Sequence, residues 1–204
     1  MQKHYNIIWL ILFTIFSSSI LAAKTKSKNS TFIGLSGGYS YNPQTLSADV
    51  QTNFELENSA PSYSFELGYR GKKNFFYSLN YTRNHYDTRY YDNVYLSANY
   101  AFKKRRSRLY PYVGVLGGWS SMRWSQDPVD TYGERETESS NYLVGAQVGL
   151  EYLIDDSFYL FGSYIYNYTP QKTMLYNEAE ITYEHIQNIM IGIRYSFSND
   201  KTGK

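Results

Sequence analysis

Two glutamates and two arginines are the residues of this chain whose types and positions favour chemistry in an enclosed space. Glu66, Arg70, Glu151 and Arg194 each lie on the polar side of a segment in which apolar and polar residues alternate. Charges placed in a narrow, poorly hydrated space are costly unless they are paired. We predict at least one Arg–carboxylate pair among these four, while four separate hydrated charges near one mouth of the fold would leave the same pattern.

Catalytic and metal sites are not predicted. His85 lies near Asp87 and His185 lies beside Glu184, but neither histidine belongs to an H-x-S pattern, so the serine of an acyl-transfer site is missing. Two scattered histidines define no metal site. The chain has no cysteine, which excludes a thiolate nucleophile and a disulfide framework. We therefore expect no catalytic residue, no cofactor and no bound metal.

The densest run of charge is Lys-Lys-Arg-Arg-Ser-Arg at residues 103–108. In isolation such a run resembles a nucleic-acid patch. The net charge of the whole chain is only +2, which argues against a polyanionic partner such as nucleic acid. A solvated turn is the expected structure, with contact to anionic lipid headgroups as the alternative.

Residues 1–23 have the pattern of a secretory signal peptide. Lys3 supplies positive charge, residues 7–16 are apolar, and small residues lead to Ala23. We predict cleavage after Ala23, followed by a polar leader at residues 24–30. An uncleaved helical anchor is the alternative, but the apolar core is shorter than the roughly 20 residues that span a bilayer.

Eight segments after the leader alternate between apolar and polar residues, which predicts β-strands with two different faces. They are residues 31–41, 62–70, 75–85, 93–102, 110–119, 141–154, 157–168 and 181–197. In the first, Ile33, Leu35 and Tyr39 share one face, and Ser36 lies on the other. The segment 157–168 is apolar on both faces, so its orientation is the least determined by the pattern.

The composition of the polar faces indicates which side points inward. These faces are mainly Gly, Ser, Asn and Thr, whereas a water-exposed surface carries roughly a quarter to a third charged residues. Small uncharged side chains suit the crowded lumen of an eight-stranded barrel. This favours a barrel with its apolar face against lipid over a soluble, lipocalin-like barrel with its apolar face inside.

Aromatic residues on the apolar faces form two groups with aliphatic residues between them. The group predicted at the outer ends of the strands is Tyr39, Tyr63, Tyr81, Trp119, Tyr142, Tyr166 and Tyr183. The group predicted at the periplasmic ends is Tyr69, Phe75, Tyr100, Phe102, Tyr152, Phe158, Tyr195 and Phe197. Two aromatic girdles around an apolar band are typical of transmembrane barrels.

The predicted connections alternate in length, as they do in outer-membrane barrels. Residues 71–74, 103–108 and 155–156 form short turns, and residues 42–61, 86–92, 120–140 and 169–180 form mostly long loops. The long loops at 42–61 and 120–140 are rich in carboxylates. These could hold divalent cations among lipopolysaccharide or contact host surfaces, or they could simply keep the surface hydrated.

On these residues the chain resembles the small eight-stranded outer-membrane barrels, the OmpA-like and opacity-protein-like group. The most specific part of this resemblance is Gly-Ile-Arg-Tyr-Ser-Phe at residues 192–197. It is similar to the C-terminal strand that the barrel-assembly machinery recognises. The resemblance implies that Gly192, Tyr195 and Phe197 form this assembly signal. The chain continues past Phe197 with a polar tail at residues 198–204, where many members of the group stop.

The sequence thus predicts an all-β protein, an eight-stranded antiparallel up-and-down transmembrane barrel over residues 31–197, in the outer membrane of a Gram-negative bacterium. We expect a non-enzymatic monomer with an envelope-structural or adhesin-like role carried by its extracellular loops. The expected partners are outer-membrane lipid and lipopolysaccharide, the assembly machinery and a host or envelope surface ligand, with no nucleic acid. A narrow porin for small solutes, an outer-membrane lipid A-modifying enzyme and a soluble periplasmic carrier are the alternatives.

Overall fold

The computed structural model describes residues 29–46, 57–71, 74–103, 107–125, 138–155, 157–174 and 180–198. The strands in these ranges are β1 (Ser30–Tyr41), β2 (Gln44–Leu46), β3 (Ser59–Arg70), β4 (Phe75–His85), β5 (Arg89–Ala101), β6 (Leu109–Trp124), β7 (Glu138–Leu153), β8 (Phe158–Met174) and β9 (Glu180–Ser198). No helix capable of crossing a membrane occurs in the described ranges. The predicted signal peptide at 1–23, the leader up to residue 28 and the tail from residue 199 lie outside them.

The eight long strands form one closed antiparallel barrel, as predicted. Each strand pairs with its neighbour in the chain, and β1 closes the cylinder against β9 from Ser30 opposite Ser198 to Tyr41 opposite Gln187. The short strand β2 is an addition that the sequence did not indicate. It pairs with β9 at residues 181–183, beyond the end of β1, and so extends the same edge.

Several strands continue further at their outer ends than the alternation predicted. The strand predicted from residue 93 begins at Arg89, the one predicted to end at residue 119 reaches Trp124, and the one predicted to end at residue 168 reaches Met174. The expected long loop at 86–92 is therefore a turn of three residues between β4 and β5. Cross-strand pairing extends these strands, because backbone hydrogen bonds do not require a regular apolar face.

The two faces of the strands have the predicted orientation. Leu35, Val115 and Ile191 point away from the barrel axis and are 60%, 65% and 63% exposed, whereas Phe32 and Glu66, on the opposite face, are buried. Large exposed apolar side chains run around the whole barrel, which a soluble protein rarely tolerates. The apolar face is thus suited to contact with lipid hydrocarbon.

Aromatic residues form most of the two expected girdles. At the outer end Tyr39, Trp119 and Tyr142 are exposed, and at the other end Phe75 and Phe158 are exposed. Tyr183 is the exception, because it was predicted to face outward and is fully buried. The register between β8 and β9 shifts between Tyr168 and Gln171, and this irregularity turns Tyr183 into the lumen.

The turn from β3 to β4 is one of the short connections, at the end of the barrel that was predicted to be periplasmic. Asn74 adopts a positive φ of 64°, a conformation that asparagine tolerates better than most residues. The backbone nitrogen of Gly71 donates to the carbonyl oxygen of Phe75 at 2.8 Å. This closed turn brings β4 back beside β3 with few residues.

Two adjacent glycines in β1 provide a matched test of how closely the strands approach inside the barrel. A Cβ atom on Gly38 would lie 1.8 Å from the carbonyl oxygen of Ile189, whereas one on Gly37 would have nothing nearer than 3.8 Å. We expect Gly38→Ala to lower the free energy of unfolding by about 1–3 kcal/mol, because the backbone of β9 must move. Gly37→Ala should leave stability unchanged or slightly higher. Urea unfolding in lipid vesicles measures the free energy of unfolding of both variants. Equal effects would show that the backbone of β9 can move away from residue 38 at little cost.

Candidate functional site in the barrel lumen

The four predicted charged residues come from three strands and meet inside the barrel, towards the end that was predicted to be periplasmic. Glu66 and Arg70 lie on β3, Glu151 on β7 and Arg194 on β9, all facing the axis. Their side chains are nearly or fully buried, with relative exposures of 7%, 6%, 0% and 4% respectively. Three strands that are not neighbours in the sheet thus place two cations and two anions at one level of the lumen.

These side chains form a continuous network of charge-assisted hydrogen bonds. Arg70 binds Glu151 with both terminal nitrogens, Nη1 to Oε2 at 3.0 Å and Nη2 to Oε1 at 2.8 Å. Arg194 donates from Nη2 to Oε2 of Glu66 at 3.1 Å and from Nε to the other carboxylate oxygen. Nη1 of Arg194 also donates to Glu151. Glu151 therefore joins the two arginines, and the cluster has no net charge.

Aromatic rings surround the two guanidinium groups of this ion-pair cluster. The guanidinium carbon of Arg194 lies 3.8 Å from the ring centroid of Phe161 and 5.2 Å from that of Phe76. That of Arg70 lies 4.8 Å from the ring of Tyr159 and 4.9 Å from that of Phe76. Such cation–π contacts favour a positive charge away from water. They also fill the space between the ions and the barrel wall.

Glycines on the neighbouring strands make room for the cluster. A Cβ atom on Gly34 would lie 2.2 Å from Oε1 of Glu66, and one on Gly68 would lie 2.0 Å from the ring of Phe32. The large side chains of Glu66 and Phe32 therefore occupy the space in front of glycines, which have no side chain. Gly34 and Gly68 share the lumen face with the charges, so glycine opposite a charged residue is the sequence feature that could have indicated the pairing.

A polar layer lies above the ion-pair cluster, formed by side chains of β4, β5 and β7. Ser78 and Ser97 hydrogen-bond at 2.8 Å, and Nδ2 of Asn99 donates to Oγ of Ser97 at 2.9 Å. Gln147 on β7 donates to Oδ1 of Asn99 on β5, over Gly114 on the strand between them. Beside this layer pack the buried residues Tyr95, Leu116, Leu143, Ile165 and Met190. The small polar residues of the predicted inner face therefore bond to one another along the inner wall of the barrel.

The outermost layer of the lumen was not foreseen. It contains the buried side chains of Ala60, Tyr86, Tyr91, Met122, Tyr183 and Ile186, packed with Trp124. Arg89, which is fully buried among them, was predicted to lie in an exposed loop. It was missed because the strand extends beyond the part of the barrel where alternation is regular.

His185 lies on β9 and contacts a tyrosine of β8 and the preceding glutamate. Nδ1 of His185 bonds to the hydroxyl of Tyr166 at 2.8 Å, and Nε2 lies 3.7 Å from a carboxylate oxygen of Glu184. These groups are on the outer surface of β8 and β9. The partner of His185 is thus a tyrosine rather than a serine. Among the described residues no group of three His, Cys, Asp or Glu residues is placed to hold a metal ion.

Much of the predicted loop and turn chemistry lies outside the described residues. This includes residues 47–56, 126–137 and 104–106. At the base of one loop, Nε of Arg123 lies 2.8 Å from Oε1 of Glu138, in an exposed ion pair between β6 and β7.

In the segment predicted as an assembly signal, Tyr195 and Phe197 face outward with ring centroids 4.8 Å apart, and Gly192 lies against the backbone of Leu35.

The fold is similar to that of solved outer-membrane proteins. Neisserial surface protein A has a TM-score of 0.58 and 18% identity, over 82% of this chain and 97% of that one. A major outer membrane protein from Thermus thermophilus has a TM-score of 0.50 and 13% identity, over 83% and 99%. The N-terminal barrel domain of Pseudomonas aeruginosa OprF has a TM-score of 0.49 and 19% identity, over 84% and 100%.

No family model and no curated protein sequence matches the chain. The likeness to the Neisserial and Thermus structures therefore shows the fold, at a level of identity that says nothing about ligands. It confirms the architecture expected from the sequence, a closed eight-stranded barrel of the kind found in small outer-membrane proteins.

Proposed function

We propose that this protein is a non-enzymatic, monomeric integral protein of the outer membrane of a Gram-negative bacterium, with a sealed lumen and a structural or surface-interaction role. The single observation that supports it most is the inverted distribution of side chains. Val115 and Ile191 are exposed on the outer surface, while Glu66, Glu151 and Arg194 are buried inside. That arrangement is unfavourable in water and favourable in a bilayer.

The sealed lumen is supported by its three layers of contacting side chains. The ion-pair cluster fills the periplasmic level, the polar layer and its apolar neighbours fill the middle, and an aromatic layer around Arg89 fills the outer level. An eight-stranded barrel has an interior just wide enough for side chains to fill. Solute passage would require these groups to separate.

Electrical recording tests the sealed lumen against the narrow-porin alternative. Folded protein reconstituted into planar bilayers should give no steady single-channel current, because paired charges and close-packed rings block the axis. Incorporation is verified beforehand by the altered gel mobility of the folded barrel. Regular current steps that scale with the amount of inserted protein would favour a pore instead.

The location and the role of the loops need a separate experiment. Cell fractionation should recover the protein with outer-membrane lipid, and protease treatment of intact cells should cut only in the long outer connections, around residues 47–56 and 126–137. These segments are carried by a rigid barrel, which is the usual setting for binding loops. Recovery in the soluble periplasmic fraction would instead favour the carrier alternative.

We propose a different partner for each part of the barrel surface. The exposed apolar band would contact outer-membrane lipid and lipopolysaccharide, and Gly192, Tyr195 and Phe197 on the last strand would be read by the barrel-assembly machinery. The loops would contact a host or envelope surface. An unchanged lipid A profile in cells without the protein is expected, and an altered one would favour the lipid A-modifying alternative.

A further inference from the structure

Arg89 is the one arginine of the described lumen that has no carboxylate partner. It begins β5 at the outer end of the barrel and its side chain is fully buried. Among the described residues its hydrogen bond runs from Nη2 to the backbone carbonyl oxygen of Glu57 at 2.7 Å. Nε and Nη1 have no hydrogen-bond partner there. The nearby carboxylate of Glu57 instead accepts from the backbone nitrogen of Asp87 at 3.0 Å.

The described residues around Arg89 contact its guanidinium with aromatic rings and form no ion pair with it. The guanidinium carbon lies 4.4 Å from the ring centroid of Tyr86, 4.5 Å from that of Tyr183 and 5.8 Å from that of Trp124. Rings favour a cation over their faces, but they do not satisfy the N–H groups at the edge of the guanidinium. The edge of Arg89 therefore keeps two donor nitrogens without a carboxylate or carbonyl acceptor in the described part of the chain.

Two tyrosine hydroxyls at the same level have no acceptor for their protons among the described residues. The ring of Tyr91 packs 5.8 Å from that of Tyr86 and 6.2 Å from that of Tyr183. The hydroxyl of Tyr183 is buried and has no hydrogen-bond partner among the described residues. The buried hydroxyl of Tyr91 lies beside the guanidinium of Arg89 and has no acceptor for its own proton there. Buried donors without acceptors are unfavourable, so a group of them around a cation that has no carboxylate partner among the described residues favours binding of an anion.

The comparison with the ion-pair cluster strengthens this interpretation. Arg70 and Arg194, the other buried arginines of the described lumen, are both bound to carboxylates. All three arginines have aromatic rings close by, so the rings do not explain why Arg89 alone lacks an anion. A buried charge without a counter-charge is the costly arrangement.

We infer that Arg89, with the hydroxyls of Tyr91 and Tyr183, binds a small oxyanion at the outer mouth of the barrel. The guanidinium edge fits the geometry of a carboxylate, phosphate or sulfate group, and both tyrosines can donate to the same group. An apolar ligand would leave the donors unsatisfied. Because the middle and periplasmic layers are filled below it, the site binds a ligand from the outer side without passing it through the lumen.

Trp124 provides a reporter for this site. The sequence has three tryptophans, and Trp9→Phe with Trp119→Phe leaves Trp124 as the only one. Inorganic phosphate, sulfate and acetate are titrated into the detergent-solubilised barrel, each against sodium chloride at equal ionic strength. We expect a saturable change in Trp124 fluorescence with at least one of them. Phosphate or sulfate alone indicates a tetrahedral oxyanion site, and acetate indicates a carboxylate site.

Variants separate the site from general salt effects. Arg89→Gln should weaken the response about tenfold or more, because a charge-assisted pair is lost, and Tyr183→Phe should weaken it less while leaving the ring in place. Arg83→Gln is the matched control, since Arg83 is paired with Asp92 on the outer surface, and it should bind normally. If Arg89→Gln does not fold, Arg89→Lys and Tyr183→Phe are titrated with the same anions in its place. No saturable response in the parent, or an unchanged response in the Arg89 and Tyr183 variants, overturns the inference.

Discussion

Arg194→Ala should lower the free energy of unfolding by about 3–5 kcal/mol, the range expected when one member of a buried ion pair is removed. Arg194 donates to both Glu66 and Glu151, so its loss leaves Glu66 without a cation and Glu151 with Arg70 alone. The carboxylates cannot regain water, because the surrounding rings and strands enclose them. Urea unfolding of the folded barrel in lipid vesicles measures this loss.

Two controls distinguish pairing from the mere loss of a side chain. Arg83→Ala removes an ion pair with Asp92 that is partly exposed, where a cost of about 0–1 kcal/mol is expected. The double variant Glu66→Gln with Arg194→Met removes both charges and should recover a large part of the stability. If Arg194→Ala costs no more than Arg83→Ala, the ion-pair cluster contributes no more than a surface pair.

Val115→Arg should lower the free energy of unfolding in lipid by about 2–4 kcal/mol, as expected for arginine near the bilayer midplane. Val115 lies on the outer face of β6, two outward-facing positions before Trp119 of the outer girdle, and is 65% exposed in the structure. The cost arises because the guanidinium must enter hydrocarbon or distort the bilayer to reach water.

The matched control lies on the same strand and the same face. Ser121→Arg places the charge just beyond Trp119, where headgroups and water begin, and should cost about 0–1 kcal/mol. Both variants are unfolded in vesicles of identical composition. Equal costs for Val115→Arg and Ser121→Arg would mean that the outer face of β6 is not in hydrocarbon, and the membrane proposal would fail with it.

The residues that the sequence pattern placed wrongly lie at the outer ends of the strands, and they share one physical reason. The outer parts of β5, β6 and β8 were assigned to loops, Arg89 was placed in one of them, and Tyr183 was expected to face lipid. Beyond the outer girdle neither face meets hydrocarbon, so alternation no longer has to be regular. There the pairing with neighbouring strands and the register shift near Tyr168 decide where a side chain points.

Sequence alone determined the eight long strands, the inward face of all of them except the segment 157–168, which is apolar on both faces, and the presence of four charges on the inner face. It could do so because side chains alternate strictly between the two faces of a strand. A polar side chain on the face that contacts lipid hydrocarbon destabilises the barrel, so the two faces differ in composition. Only the tertiary structure decided that Glu66, Arg70, Glu151 and Arg194 meet at one level, and that Arg89 stands without a counter-charge among the described residues. Those facts depend on how far each strand is staggered when the sheet closes on itself, and stagger leaves no trace in the pattern of a single strand.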